Sequence, residues 1–304
     1  MCVAIATAPR PAVSLPAALR STRTARILFP IAVLALWQLG FSVLQTVVLP
    51  SPAEVLNFMW DEIRLETLSR YTLYESFAIS LGRLAVGFSI ALVAGTVVGL
   101  LMGLFRPVEY FLYDTVVVVL AVPSLVWGLM TGLLLGFGNR APILTVVAVG
   151  IPFVILNVLE GVKNTPKDLF DMSKSFRVPR PRAVRHVLIP SLMPFLFAAL
   201  RYSFANGWKG LVLAEVFAST NGAGWTIRFW YDAHRAQGVI GYALFFILFA
   251  LFIERGVFER VSGHVFKWRP ALTHLQVVEE TVPEAKRFEA DTAKAEEMES
   301  DKGA

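Results

Sequence analysis

From residue 27 to residue 49 the chain carries no ionisable side chain. As a helix, that run is long enough to cross about 30 Å of hydrocarbon. Comparable, mostly apolar runs recur at 71–105, 110–136, 142–162, 187–215 and 239–258. Inside a bilayer every backbone N–H and C=O must find a partner within its own segment or barrel, which leaves helices as the solution for runs of this length. The predicted fold is an all-α polytopic membrane bundle of six transmembrane helices. Composition agrees: 56% of residues are hydrophobic and only 17% are charged, too few charges to keep a soluble surface of this size wet. The first run exceeds an ordinary signal-peptide core, and no small-x-small cleavage site follows it.

Charge gives the orientation. Twenty of the 28 Lys and Arg fall in the leader, the turn at 106, the central loop and everything after Ile253, against five in the opposite segments. By the positive-inside rule both termini are predicted to be cytoplasmic and the span number even. Residues 1–26 read as a disordered cytoplasmic leader and 270–304 as a disordered acidic tail, flanking a transmembrane domain at 27–269. The segment from Glu54 to Arg70 fits an amphipathic helix on the outer surface. A basic membrane protein with its cations in loops implies a lipid bilayer as partner, not nucleic acid.

Small residues recur every four positions in the second run, at Gly87, Ala91, Gly95, Gly99 and Gly103. One helix face is thereby opened to the close approach of another backbone, and a second copy of the chain is one such partner. Several polar groups lie within spans, where a charge at the helix centre costs about 2.5–3.5 kcal/mol on insertion scales. Such groups tend to face a bundle interior or a solute path. Arg83 either snorkels, pairs with Glu75 two helical turns away, or lines a path. Asp114 reaches water at an inner span end. Pro123 either kinks its helix or frees a carbonyl where a path would run. Arg201, Asn206 and Lys209, on the segment leading to Glu215, form either a structural network or path residues.

The central loop, about 164–190, is unlike the rest. It carries Lys167, Lys174, Arg177, Arg180, Arg182, Arg185 and His186 against only Asp168 and Asp171. Thr165, Pro166 and Asp168 make a helix-start signature: a hydroxyl cap, proline in the first turn and an acid three residues after the cap. Leu169, Met172 and Phe176 then fall on one face. Pro179 disfavours a helical Val178, so a break is expected before a second helical pattern from Arg182 into Pro190.

Asp171-Met172-Ser173, with Arg177 six residues after Asp171 and Leu188-Ile189-Pro190 closing the loop, resembles the EAA loop of bacterial ABC-importer permeases. That pattern is E-A-A-x-x-x-G, nine variable residues, then I-x-L-P. Arg177 stands where the family has glycine. Arginine disfavours the left-handed backbone that glycine permits, so the turn is expected to shift to Val178-Pro179. LPSPAEV, SLGRLAVGF, GLLLGFGN, LVLAEVFASTNGAGW and the closing KWRP are similar to the nitrate, sulfonate and taurine branch, over about 49–270. The resemblance implies an inner-membrane permease for a small anionic solute, paired with a second permease copy, cytoplasmic ABC ATPase subunits and an extracytoplasmic solute-binding protein. It places Leu169, Asp171, Met172, Ser173, Phe176, Arg177 and Pro190 at the ATPase contact. Arg83, Pro123, Arg201, Asn206, Lys209 and Glu215 are candidates for the translocation path. No G-x-x-x-x-G-K-[ST] occurs, so ATP hydrolysis is expected on a separate partner. Neither metal-ligand spacing nor a nucleophile–base pattern appears, and no cofactor is expected. The rival readings are a membrane-embedded enzyme and a non-transporting scaffold.

Overall fold

The computed structural model describes residues 22–44 and 49–265, and all regular structure among them is helical. The helices are α1 (Thr22–Leu44), α2 (Pro52–Ile63), α3 (Leu73–Leu104), α4 (Arg106–Ala121), α5 (Ser124–Leu135), α6 (Arg140–Lys163), α7 (Lys167–Ser175), α8 (Arg180–Ala183), α9 (Ile189–Ala218), α10 (Ala223–Asp232), α11 (Ala236–Ile253) and α12 (Glu259–Val265). Most of the expected leader and the whole acidic tail lie outside the described residues, although α1 already begins at Thr22. KWRP lies outside them too.

Helix α6 is the centre. It is apolar all round, as a helix surrounded by others must be, and it is flanked by α3 and α9 along its length. The α3 contact explains the glycine repeat. A Cβ at Gly95 would stand 2.6 Å from Cβ of Val154, and Gly87, Gly99 and Gly103 meet Val146, Val158 and Val162 in the same way. The stripe is therefore used inside the chain, and does not supply the face for a second copy. On α9, Trp208 packs against Phe246 and Phe249 of α11 at ring-centroid distances of 5.0 and 4.7 Å.

Among the described residues four helical stretches are long and apolar enough to cross a membrane: Leu73–Leu104, Arg140–Lys163, Pro181–Ala218 and Ala236–His264. The expected single span at 110–136 is instead two helices, α4 and α5, bent by 96°. Proline disfavours helical geometry in the residue before it and offers no N–H. Accordingly Val122 and Pro123 are both extended, with ψ of 123° and 141°. Helix α5 then lies against α9 through Gly128 and Gly132, which face Ala214 and Ala218. Counted as one span, the bent pair raises the total to five, and the apolar part of α1 (Leu28–Leu44) falls short of a full span. Six spans are thus not reached on length and apolarity alone.

The Pro181–Ala218 rod contains a π turn at Val184–Leu188, where Ile189 N–H bonds to Val184 O. Pro190 follows at once, and its missing N–H removes the bond that would otherwise return to His186. A second compact unit begins at Ile253, with a π turn at Glu254–Phe258 and then α12.

Helix α2 opens with a capping box, Ser51 and Glu54 each bonding the other's backbone N–H. It is fixed by Glu62, which is 1% exposed. That carboxylate accepts bonds from Thr67 Oγ1 at 2.6 Å and from the Tyr242 hydroxyl at 3.0 Å. Burial pushes the Glu62 carboxyl above its ordinary range, against the opposing pull of these two bonds.

Replacing Gly95 tests the α3–α6 contact. Gly95→Leu should overpack it and cost about 1–3 kcal/mol, read as a lower melting temperature in detergent. Gly82→Ala, whose Cβ would meet nothing within 4 Å, should melt like the wild type. Equal melting of both variants would remove the stripe's role.

Candidate functional site

The central loop forms a short helix hung between two long ones. Thr165 does not cap it: its hydroxyl turns back to Gly161 O at 2.9 Å, closing the end of α6. The residue preceding α7 is Pro166, which makes no side-chain cap. The expected hydroxyl cap is thus spent on the other helix. Along α7, Leu169 is 37%, Met172 52% and Phe176 76% exposed, so the apolar stripe faces away from the rest of the chain. Ser173, on the flank of that stripe one turn after Leu169, is buried. Asp171 pairs with Lys174 at 3.1 Å on the surface, and Pro190 opens α9.

The turn after α7 differs from expectation. Arg177 itself adopts the left-handed backbone, with φ of 52°. Val178 N–H reaches Ser173 O and Arg177 N–H reaches Lys174 O, both at 2.9 Å. These two bonds define the helix ending usually made by glycine. The turn is not shifted to Val178-Pro179, because the paired bonds satisfy two terminal carbonyls that a shifted turn would leave open. Arginine occupies that seat at a cost of about 1–2 kcal/mol.

In the membrane domain the structure gathers a second group. Arg83 and Glu215 are 4% and 0% exposed and pair at 2.7 Å. The second carboxylate oxygen accepts from Ser80 Oγ at 2.7 Å and Gly224 N–H at 2.9 Å. Arg83 also donates to Asn139 Oδ1 from Nε at 3.0 Å, to Asn221 O at 2.9 Å, and to Asn221 Oδ1. The geometry fits a buried ion pair, with the charges matched and the remaining lone pairs occupied. Glu75 is not the partner: it closes a capping box with Thr72 at the start of α3. Gly222 has φ of +100°, and a Cβ there would stand 2.5 Å from Glu215 Oε1. Only glycine satisfies both the backbone and the space. This network ties α3, the start of α6, α9 and the turn into α10 together, and it places Glu215 in the core of the chain.

The other candidates on α9 do not join it. Arg201 and Lys209 are exposed. Asn206 bonds to Tyr202 O at 2.8 Å and lines a cleft of about 190 Å³ with Pro123, Ser124, Trp127, Val149 and Phe153. The expected chain from Arg201 to Glu215 is therefore divided between core, cleft and surface. Pro123 and Asn206, expected separately, meet at that cleft. Asp114 borders a wider cleft of about 310 Å³ beside Glu109 and Lys163, which pair with each other.

Sequence reasoning missed Asn139, Asn221 and Ser80. Each lies in a stretch quoted above, SLGRLAVGF, GLLLGFGN or LVLAEVFASTNGAGW, but nothing in those stretches shows that they converge on Arg83. It also missed Glu62, whose partner Tyr242 lies 180 residues away.

Residues 76–257 match the family described as "Binding-protein-dependent transport system inner membrane component". The chain is 30% identical over 259 residues to the Escherichia coli protein named as the aliphatic sulfonates transport permease SsuC, covering 82% of this chain and 93% of that one. It is 27% identical to the nitrate import permease protein NrtB of Synechococcus elongatus (67% and 74% covered). Against the bicarbonate transport system permease protein CmpB of Synechocystis the identity is 28% (74% and 82% covered). In fold it is similar to a chain of the inward-facing MetNI methionine ABC transporter, with a TM-score of 0.55 at 18% identity, covering 64% of this chain and 95% of that one.

Two substitutions probe the site's geometry. Glu215→Ala should cost about 3–5 kcal/mol, because it strands a buried guanidinium. The double change Arg83→Met with Glu215→Ala should recover part of that loss in a thermal melt; additive losses would deny the coupling. Arg177→Gly should stabilise the end of α7 by about 1 kcal/mol, seen as slower amide exchange of 173–178. Faster exchange would contradict the left-handed assignment.

Proposed function

The chain belongs to the binding-protein-dependent transport system inner membrane component family, the permease subunits of ABC importers, and from that premise we propose which parts carry transport. Helix α7 is the coupling element. Its exposed stripe of Leu169, Met172 and Phe176 docks in a cleft of a cytoplasmic ABC ATPase subunit, where ATP is hydrolysed. Asp171, Ser173, Arg177 and Pro190 set its angle. The observation that carries this reading is Phe176: an aromatic ring 76% exposed at the end of a helix whose neighbours are charged. Burying such a side chain contributes about 1.5–3 kcal/mol, enough to hold one helix end in a partner.

The transported solute is a small anion. The relatives named above carry sulfonate, nitrate and bicarbonate in their names, and these share a negative charge spread over oxygens around one central atom. The path runs by the cleft at the α4–α5 break, with Pro123 and Asn206 on its wall and Arg201 and Lys209 as cations on α9. Arg83 and Glu215 brace it from behind. Two copies of the chain enclose the path, and an extracytoplasmic binding protein delivers the solute. Six spans arise if α1 and the bent pair each cross once, which returns both termini to the side richest in Lys and Arg, the cytoplasm.

Phe176→Asp should leave insertion and pairing of the permease intact while abolishing uptake and solute-stimulated ATP hydrolysis. Co-purification of the ATPase subunit should fall in parallel. Retention of both association and transport would show that the loop's charge serves orientation alone.

A further inference from the structure

Helix α2 has three faces where a helix on a soluble protein has two. Val55, Met59 and Glu62, spaced i, i+4 and i+7, are buried against the bundle. That face is clamped: Phe58 packs edge-on against Trp230 at 5.1 Å, and Glu62 is held by Tyr242. Glu54, Asn57 and Asp61 form a second, exposed polar face. Leu56, Trp60 and Ile63 form the third, again at i, i+4 and i+7, and they are 62%, 54% and 40% exposed. An apolar stripe this regular, left exposed by the described residues and set beside a polar stripe, calls for a cover that is apolar on one side and wet on the other.

Arg64 marks the border between those two outer faces. It follows Trp60 by four residues and Asp61 by three, and its guanidinium lies 4.7 Å from the Trp60 ring centroid. A cation stacked on an indole at the seam of an apolar and a polar stripe is where the phosphate layer of a bilayer would stand. The chain on either side supports lipid over a protein cover. Helix α1, which α2 contacts, exposes Leu36, Leu39 and Val43. The turn after α2 exposes Leu65 and Leu68, and α3 begins its span at Leu73, so the stripe continues the apolar surface of the spans. Indole and guanidinium are also the groups that favour the interface, each with an apolar body and a polar edge.

We infer that α2 lies in the headgroup layer of the extracytoplasmic leaflet, with Leu56, Trp60 and Ile63 in the acyl boundary and Arg64 at the lipid phosphates. The occupant of the third face is phospholipid. The assignment to that leaflet, though not the lipid contact itself, rests on the orientation proposed above. Because Glu62 locks the opposite face to α11, the helix is an outrigger that fixes the bundle's depth in the bilayer.

The test uses the full-length chain with its one cysteine removed (Cys2→Ser) and single cysteines at Leu56, Trp60 or Asn57, nitroxide-labelled in phosphatidylethanolamine–phosphatidylglycerol vesicles. Collision with oxygen should exceed collision with a water-soluble nickel chelate several-fold at 56 and 60, and the order should invert at 57. Labels at 56 and 60 shielded from both agents would mean a protein cover, and nickel access at both would mean open water; either result overturns the proposal. Trp60→Phe, a mild change, should independently reduce the quenching of tryptophan fluorescence by brominated lipid, and unchanged quenching would count against lipid contact. Sidedness is read separately, with an impermeant maleimide on Asn57→Cys in intact cells. Reaction from outside upholds the leaflet. Reaction only after lysis overturns the orientation and the leaflet assignment, while the accessibility pattern still decides lipid contact.

Discussion

The contact between α3 and α6 is the constraint from which the rest of the bundle follows. Lipid is as apolar as leucine, so burying side chains between two spans yields little by exclusion of water. What remains is dispersion, which is short-ranged and rewards closeness. Glycine every fourth residue on α3 lets valines of α6 sit against bare backbone. With α3 and α6 fixed, α9 closes the other side of α6, and the bent pair is added through Gly128 and Gly132. The same device is used twice, once to set the core and once to attach the broken helices.

Polar groups then decide which ends of the helices meet. The Arg83–Glu215 pair would be a poor source of net stability on its own, since desolvation offsets much of the attraction. It is effective as a specificity device, because mispairing of the four segments it joins would leave an ion unpartnered in a dry place. Glu62 with Tyr242 does the same for α2 and α11, without any cation.

What was legible in the sequence follows from the range of the forces involved. Spans appear as apolar runs because solvation is local to each segment. The glycine period was legible as a close-packing face, but not its partner, since α6 offers ordinary valines with no signature of their own. The break at Pro123 was visible as a proline, yet its 96° bend depends on α9 presenting Ala214 and Ala218 to the second half. Thr165 and Pro166 read as a helix start, but the hydroxyl had a competing acceptor in Gly161 O, four residues back, and that bond won. At Arg177 local propensity pointed away from a left-handed turn. The paired terminal bonds outweighed it.

The distance along the chain between Arg83 and its partners also has a consequence for how the protein is made. Asn139 is 56 residues downstream and Glu215 is 132. At roughly 5–20 residues per second, synthesis hands α3 to the bilayer on the order of ten seconds before the carboxylate exists. Until then Arg83 lacks both its carboxylate partner and the Asn221 oxygens, and of its partners on later segments only Asn139 precedes them along the chain. Helix α3 is inserted early and completed late.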